Sequence, residues 1–297
     1  MKKISSIILL YFISLVAVFA QKTVAKDVMN KVYEEVKTPY KYGLVIAPED
    51  NMHKIDCPTV FRKDGKWYMS YIVYNGKTGK DGRGYETWLA ESTDLLEWKT
   101  LGRILSFPEK GSGRWDENQR AGYIALVDYQ WGGNYNVEKF DNKYWMSYFG
   151  GIGKGYEQGR LEEGMAYTDG DITKAHEWKS FEKPRLSPLD PNKGWWENIT
   201  QYKSSVIWDK TKRLGHPFVM FYNAGGINPS NNVKAERIGI ALSDDMVHWK
   251  RYHGNPIVNH EQGITGDGVI QQIGDLYVMF YFGAFHKPVL TKPSIHL

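Results

Sequence analysis

The chain has 297 residues and a formal charge of +4, with 38 Lys and Arg interspersed among 34 Asp and Glu. The absence of a basic block argues against nucleic acid as a partner, and the single cysteine, Cys57, excludes an internal disulfide framework. The 11 Trp, 20 Tyr and 12 Phe suit strands, and leave some rings over to stack on sugar faces.

Lys2 and Lys3 precede the apolar stretch 4–20, in which Val18 and Ala20 hold small-residue positions before Gln21. That layout predicts a signal peptide over 1–20, and a periplasmic or secreted protein free of the membrane once the peptide is removed. Residues 21–50 read as a lead-in, with one short helix in KDVMNKVYEEVKTPY. Residues 51–297 read as one β-domain, since nothing within them has the composition of a linker.

Four aromatic runs divide that domain, around Met69, Met146, Met220 and Met279. The first belongs to a hairpin, PTVFRKDGKWYMSYIV, turned by Lys63, Asp64 and Gly65 and closed by LAESTDLLEW ending at Trp98. The second reads as YNVEKFDNKYWMSYFG, turned at Asp141 and Asn142 and closed by MAYTDGDITKAHEW at Trp178. The third turns through DKTKRLGHP and closes with IALSDDMVHW at Trp249. The fourth, VIQQIGDLYVMFYFG, turns at Gly274 and Asp275 and has no closing phrase before Leu297. Repeated strand sets of this kind predict an all-β, five-bladed β-propeller with about four blades present. The expectation is a C-terminally truncated ring, because an open apolar edge is an aggregation hazard. Asp94 and Asp244 are expected to brace the closing turns, and Asp64, Asp141 and Asp275 the hairpins.

A propeller gathers the starts of its inner strands around one channel, so acids at those starts are the candidates for chemistry. Asp56 stands eight residues before Asp64, and Asp267 eight before Asp275, which assigns both to one slot facing the channel. Glu197 follows Trp195 and Trp196, whose apolar rings would raise a carboxyl pKa and make a proton donor. In blade two the slot falls on Gly133, so the third carboxylate is assigned to Asp128, with Asp116 next. His53, Arg120 and Arg237 are candidates to hold hydroxyls or orient the acids, and Tyr85, Trp195 and Trp196 to act as platforms. No residue is assigned to a metal. Two carboxyl groups across a channel suffice to cleave a glycosidic bond, one protonating the leaving oxygen while the other activates water or attacks carbon.

An Asp before a Pro-containing first strand, the repeated S-x-D turn before Trp and a Glu opening blade three resemble the five-bladed propeller glycosidases of glycoside hydrolase family 43, Bacteroidetes type. The resemblance implies an inverting hydrolase of plant-type oligo- or polysaccharides carrying arabinose- or xylose-like sugars. It makes Asp56 the base, a blade-two Asp the modulator and Glu197 the acid, with no cofactor beyond a structural calcium known among such relatives. The alternatives are a carbohydrate-binding propeller without catalysis and a glycoside phosphorylase.

Overall fold

Each of the four aromatic runs forms the middle strand of its own antiparallel sheet. The structure, a computed structural model, describes residues 24–38, 43–48, 50–75, 82–284 and 294–296; the expected signal peptide lies outside them. The chain divides into two compact units, Met1–Tyr40 and Lys41–Leu297. In the first, helix α1 spans Lys26–Val36. Among the described residues, no helix is long and apolar enough to cross a membrane.

In the second unit, the first sheet is built in chain order from β1 (Lys54–Lys63), β2 (Lys66–Tyr74), β3 (Tyr85–Ser92) and β4 (Lys99–Leu105). The second contains β5 (Gln119–Ile124), β6 (Tyr144–Gly151), β7 (Glu162–Thr168) and β8 (Lys179–Ser180). The third contains β9 (Thr200–Trp208), β10 (Phe218–Ile227), β11 (Lys234–Ser243) and β12 (Lys250–Arg251). The fourth contains β13 (Ile264–Ile273), β14 (Leu276–Ala284) and β15 (Ser294–His296). The fourth run therefore does acquire a third strand.

One register repeats through all four sheets. Met69, Met146, Met220 and Met279 pair with Val60, Ile124, Val206 and Ile270 of their first strands. The second sheet departs from the sequence reading. Its first strand is β5, and the segment expected there, YNVEKF, belongs to an excursion between β5 and β6. Phe140 and Lys143 form only an isolated bridge across the Asp141–Asn142 turn, so a hairpin signal was present without a sheet behind it.

The closing phrases do build the same corner. The indole N–H groups of Trp98, Trp178 and Trp249 donate to the carbonyls of Leu95, Ile172 and Met246. Asp94 accepts the amides of Leu96 and Glu97, and in the third sheet Asp245 accepts those of Val247 and His248. Asp245, not Asp244, is thus the turn acid; Asp244 pairs with His216 at 3.0 Å.

The core lies between sheets. Phe61, Leu89, Ile104, Met146 and Tyr148 fill the space between the first and second, and Trp145, Trp196, Phe218, Met220 and Tyr222 that between the second and third. Ile207, Val219, Ile240 and Ile270 join the third to the fourth. The four first strands bound one cavity of about 660 Å³, whose walls include residues 56–60, 203–207 and 267–271 with Tyr123 and Ile124.

Candidate active site

Three of the first strands carry a bulge at the same place. The register slips between Asp56 and Thr59 in β1, between Tyr202 and Ser204 in β9, and between Gly266 and Val269 in β13. The residues set in the left-handed region are Cys57, Lys203 and Asp267, each with φ of 52°. A bulge re-aims the side chain it carries, and here the three bulge residues meet. Cys57 Sγ lies 3.4 Å from Asp267 Oδ1, and Lys203 Nζ lies 3.5 Å from Asp267 Oδ2.

This geometry shifts one expectation by one residue. In the hairpin turns Asp64 is equivalent to Gly274, since β1 ends at Lys63 and β13 at Ile273. Aligned on strands, Asp267 matches Cys57 and Asp56 matches Gly266; the two acids share the axis but not a slot.

Lys203 also reaches a loop of the neighbouring second sheet and faces the third strand of its own. Its Nζ lies 3.4 Å from Oε1 of Glu157, which sits between β6 and β7. That loop is bent by left-handed backbone at Gly155, Glu157 and Gly159, which delivers Glu157 to the axis. Glu236 on β11 completes the cluster, beside Tyr202, Lys203 and Asn223. Burial raises the pKa of Glu157 and of Glu236 while Lys203 opposes the rise, and the charge of Glu236 pushes Glu157 further up. Asp267 is raised by burial and by Asp56, again against Lys203. Asp56 accepts the amide of Cys57 at 2.8 Å, and its charge is felt by Glu157, Asp267 and Lys203.

Aromatic rings wall this cluster. Tyr85 is buried against Tyr74, Phe149 and Tyr156, with centroids 5.5 to 5.7 Å away. Tyr156, adjacent to Glu157, is more open and carries Lys54 Nζ 4.7 Å above its ring. Of the expected site residues, Asp56, Asp267 and Tyr85 are therefore brought together. Lys203, Glu157 and Glu236 were missed, although a Tyr-Glu pair in a glycine-rich loop was visible.

The other candidates lie outside this cluster. Glu197 is fully buried, and its two oxygens accept from Gly194 N, Gln201 Nε2, Tyr222 Oη and Arg251 Nε, the last at 2.8 Å. A carboxylate so saturated and ion-paired is built as an anchor, unlike a donor that must hand a proton to a sugar. Trp196 is only 3% exposed and packs in the core, so it offers no platform. Trp195 is partly exposed, with Arg237 stacked 4.4 Å from its ring. Arg237 itself is buried and held by Asn259 and the Ala235 carbonyl.

Arg120 bonds Asp116 at 2.7 Å and Asp116 also holds Arg114 at 2.9 Å, a closed network between the first two sheets. Asp128 lies where β5 has ended, next to residues that bridge the finishing ends of β1 and β13. Its oxygens accept the amides of Gln130, Asn134 and Tyr135, so it braces a loop at the far end of the same cavity that Asp56 lines. Gly133, where the catalytic slot was expected, lies in that loop, and a Cβ there would stand 2.6 Å from Asp128 Oδ2, which favours glycine. His53 bonds Asp50 at 2.8 Å in the turn before β1. Among the described residues, no group of three or more His, Cys, Asp or Glu is arranged to hold a metal ion.

Repeated antiparallel sheets with carboxylates converging from each at one axis define a propeller-like protein equipped for polar chemistry on a polyhydroxylated ligand. No protein-family profile and no curated protein matches the chain. Among solved structures, one described as a glycoside hydrolase is 57% identical, covering 92% of this chain and 78% of its own with a TM-score of 0.85. A second, described as a complex of BT0996 and RGII, is also 57% identical with the same coverage and a TM-score of 0.86. A thermostable family-43 glycoside hydrolase shares the fold alone, at 16% identity over 80% of this chain and 66% of its own, TM-score 0.50. The chain belongs to the glycoside hydrolases: it is a glycosidase, and its substrate is a carbohydrate.

Proposed function

We propose that this glycosidase cleaves a plant-type oligo- or polysaccharide at the Lys203 cluster, with Glu236 giving the proton to the leaving oxygen and Glu157 as its ionised partner. The observation that carries the reading is that Glu157 and Glu236, mostly buried carboxyls from different sheets, converge on Lys203, whose Nζ lies 3.4 Å from Glu157 Oε1, and that the charge of Glu236 is felt by Glu157. Glu157 fits the ionised role because Lys203 sits 3.4 Å from it; Glu236 is raised by burial, which outweighs the Tyr202 hydroxyl, Lys203 and Asn223 that hold it down. Asp56 and Asp267 complete the acidic wall, and Tyr156 offers a ring face at its rim. The relative described as a complex with RGII supports a plant-type substrate.

A fifth blade closing the ring, and export directed by residues 1–20, remain parts of this reading carried by the strand repeat and the N-terminal pattern. The inverting course attached to family 43 requires the two carboxyl groups to be about 6.5 to 9.5 Å apart, with water between them. NMR of the first-formed anomer decides that point.

The test is Glu236→Gln and Glu157→Gln on RGII-derived oligosaccharides and on aryl glycosides, with and without phosphate. Both variants lose roughly 10²- to 10⁴-fold in kcat on the oligosaccharide. Only Glu236→Gln regains rate on a dinitrophenyl glycoside, whose leaving group needs no proton. Equal losses on both substrates would remove Glu236 as the acid, and a phosphate requirement would make the enzyme a phosphorylase.

A further inference from the structure

Lys203 holds a position that lysine fills at a cost. Its backbone is in the left-handed region, which an L-residue adopts with strain of roughly 1 kcal/mol or more. Its side chain is 8% exposed, with Nζ 5.6 Å from the centroid of Tyr202 and 5.2 Å from that of Phe282. An ammonium set between rings and out of water is tolerated only where anions replace its hydration.

Those anions come from every element around it. Asp56 and Cys57 face it from β1, Glu157 from the β6–β7 loop, Glu236 from β11 and Asp267 from β13, with Tyr202 as its own neighbour. Burial works against the charge of Lys203, and Asp267, Glu157 and Asp56 outweigh it, so its pKa is raised. Without a cation, four carboxyl groups at one axis would hold one another protonated by like-charge repulsion.

We infer that Lys203 is the resident cation of this active site, a positioning residue whose ammonium ties Glu157 to Asp267 and occupies the place that a metal ion takes in other carboxylate clusters. The inference rests on Glu157 and Glu236 being the working pair. The bulge is the device that permits it: a regular β9 would point residue 203 out of one face of its sheet, whereas the bulge re-aims it toward the axis. The consequence is an active site whose charge balance is supplied by the chain itself.

The experiment uses two variants and the unaltered enzyme. Lys203→Met, neutral and of similar length, is expected to lower kcat/KM roughly 100-fold. It should also move the acidic limb of the pH–rate profile up by about one unit or more. Lys203→Gly suits the bulge, since glycine takes φ of 52° freely, and it leaves room for the lost side chain. Its activity should return with n-butylammonium and not with the neutral isostere 1-butanol.

In the unaltered enzyme, ¹⁵N NMR of the lysine side chains should show Lys203 still as an ammonium above the ordinary lysine value of 10.5. Unchanged rate and profile in Lys203→Met, equal rescue by butanol, or loss of the Lys203 proton below that value would each overturn the inference. The NMR result stands even where neither variant folds. Failure of the working pair is a separate outcome, since it appears as retained activity in Glu157→Gln or Glu236→Gln.

Discussion

Asp116 and Glu197 occupy one place in successive sheets. Each follows a tryptophan, and each accepts the hydroxyl of the tyrosine two residues past the register methionine, Tyr148 to Asp116 at 2.8 Å and Tyr222 to Glu197 at 2.9 Å. Trp115 stacks on Tyr148 at 5.4 Å and Trp196 packs on Tyr222 at 5.5 Å. An arginine completes each set, Arg120 in one and Arg251 in the other. The acid that the sequence suggested as proton donor is thus half of a repeated clamp between sheets.

Glu197→Gln should therefore act on stability. Removing one partner of a buried pair leaves Arg251 short of an anion and typically costs about 3–5 kcal/mol. Asp190, at 2.9 Å from Arg251, retains part of the balance and should hold the loss to the lower end of that range. Urea unfolding measures the loss, and kcat measured below the transition should stay within a few-fold of the unaltered enzyme. A stable variant with turnover abolished would return Glu197 to catalysis.

The clamp also explains two glycines. Gly164 pairs with Tyr148, and Gly239 pairs with Tyr222, on the third strand of each sheet. A Cβ on Gly239 would stand 2.2 Å from Trp196 Cη2, and one on Gly164 would stand 2.7 Å from Trp115 Cη2. Gly239→Ala should cost about 1–3 kcal/mol by overpacking against a ring that core neighbours hold in place. Thermal unfolding of this variant tests the clamp without touching any charge; an unchanged midpoint would argue that Trp196 is free to move.

What the sequence disclosed follows from which interactions are local. Turns, hairpins and the Trp corner are made by residues close in the chain, so the first and third sheets and the hairpin of the fourth were legible from their patterns. In the second, β5 and β6 are separated by the 125–143 excursion, and its Asp141–Asn142 turn imitates a hairpin. The site was only half legible. Asp56 and Asp267 stood out as acids at strand starts, whereas Lys203 enters through a bulge that no period-two pattern reveals. Glu236 reads from its strand as a solvent-facing acid, and Glu157 needed the bent loop. The Trp-acid repeat, RWDEN and GWWEN, was in plain view and would have marked Glu197 as structural.

Asp128 and Asp56 separate the two ends of the axis. Asp128→Ala frees three backbone amides of the 129–135 loop and should cost about 1–3 kcal/mol, with kcat retained. Asp56→Asn, beside Glu157 and Lys203, should lower kcat with little effect on stability. Steady-state kinetics and urea unfolding on the same two preparations check both. The reverse pattern would place the chemistry at the finishing ends of the strands.

Glu163 supplies a pH dependence of stability. It is fully buried on β7 and accepts one hydrogen bond, from Ser204 Oγ at 2.8 Å, while its Oε1 has no partner. Burial pushes its pKa up from 4.5 to about 8. Below 4.5 the carboxyl is neutral in both folded and unfolded chains and costs nothing by ionisation. Between 4.5 and about 8 the unfolded chain releases the proton and the folded one keeps it, so stability falls as pH rises through that window and levels off above it. Glu163→Gln keeps the shape and removes the proton equilibrium. The difference in unfolding free energy between variant and parent should grow from near zero at acid pH to a few kcal/mol, on the order of magnitude set by linkage, above pH 8. A difference independent of pH would mean that Glu163 ionises in the folded protein as readily as in water.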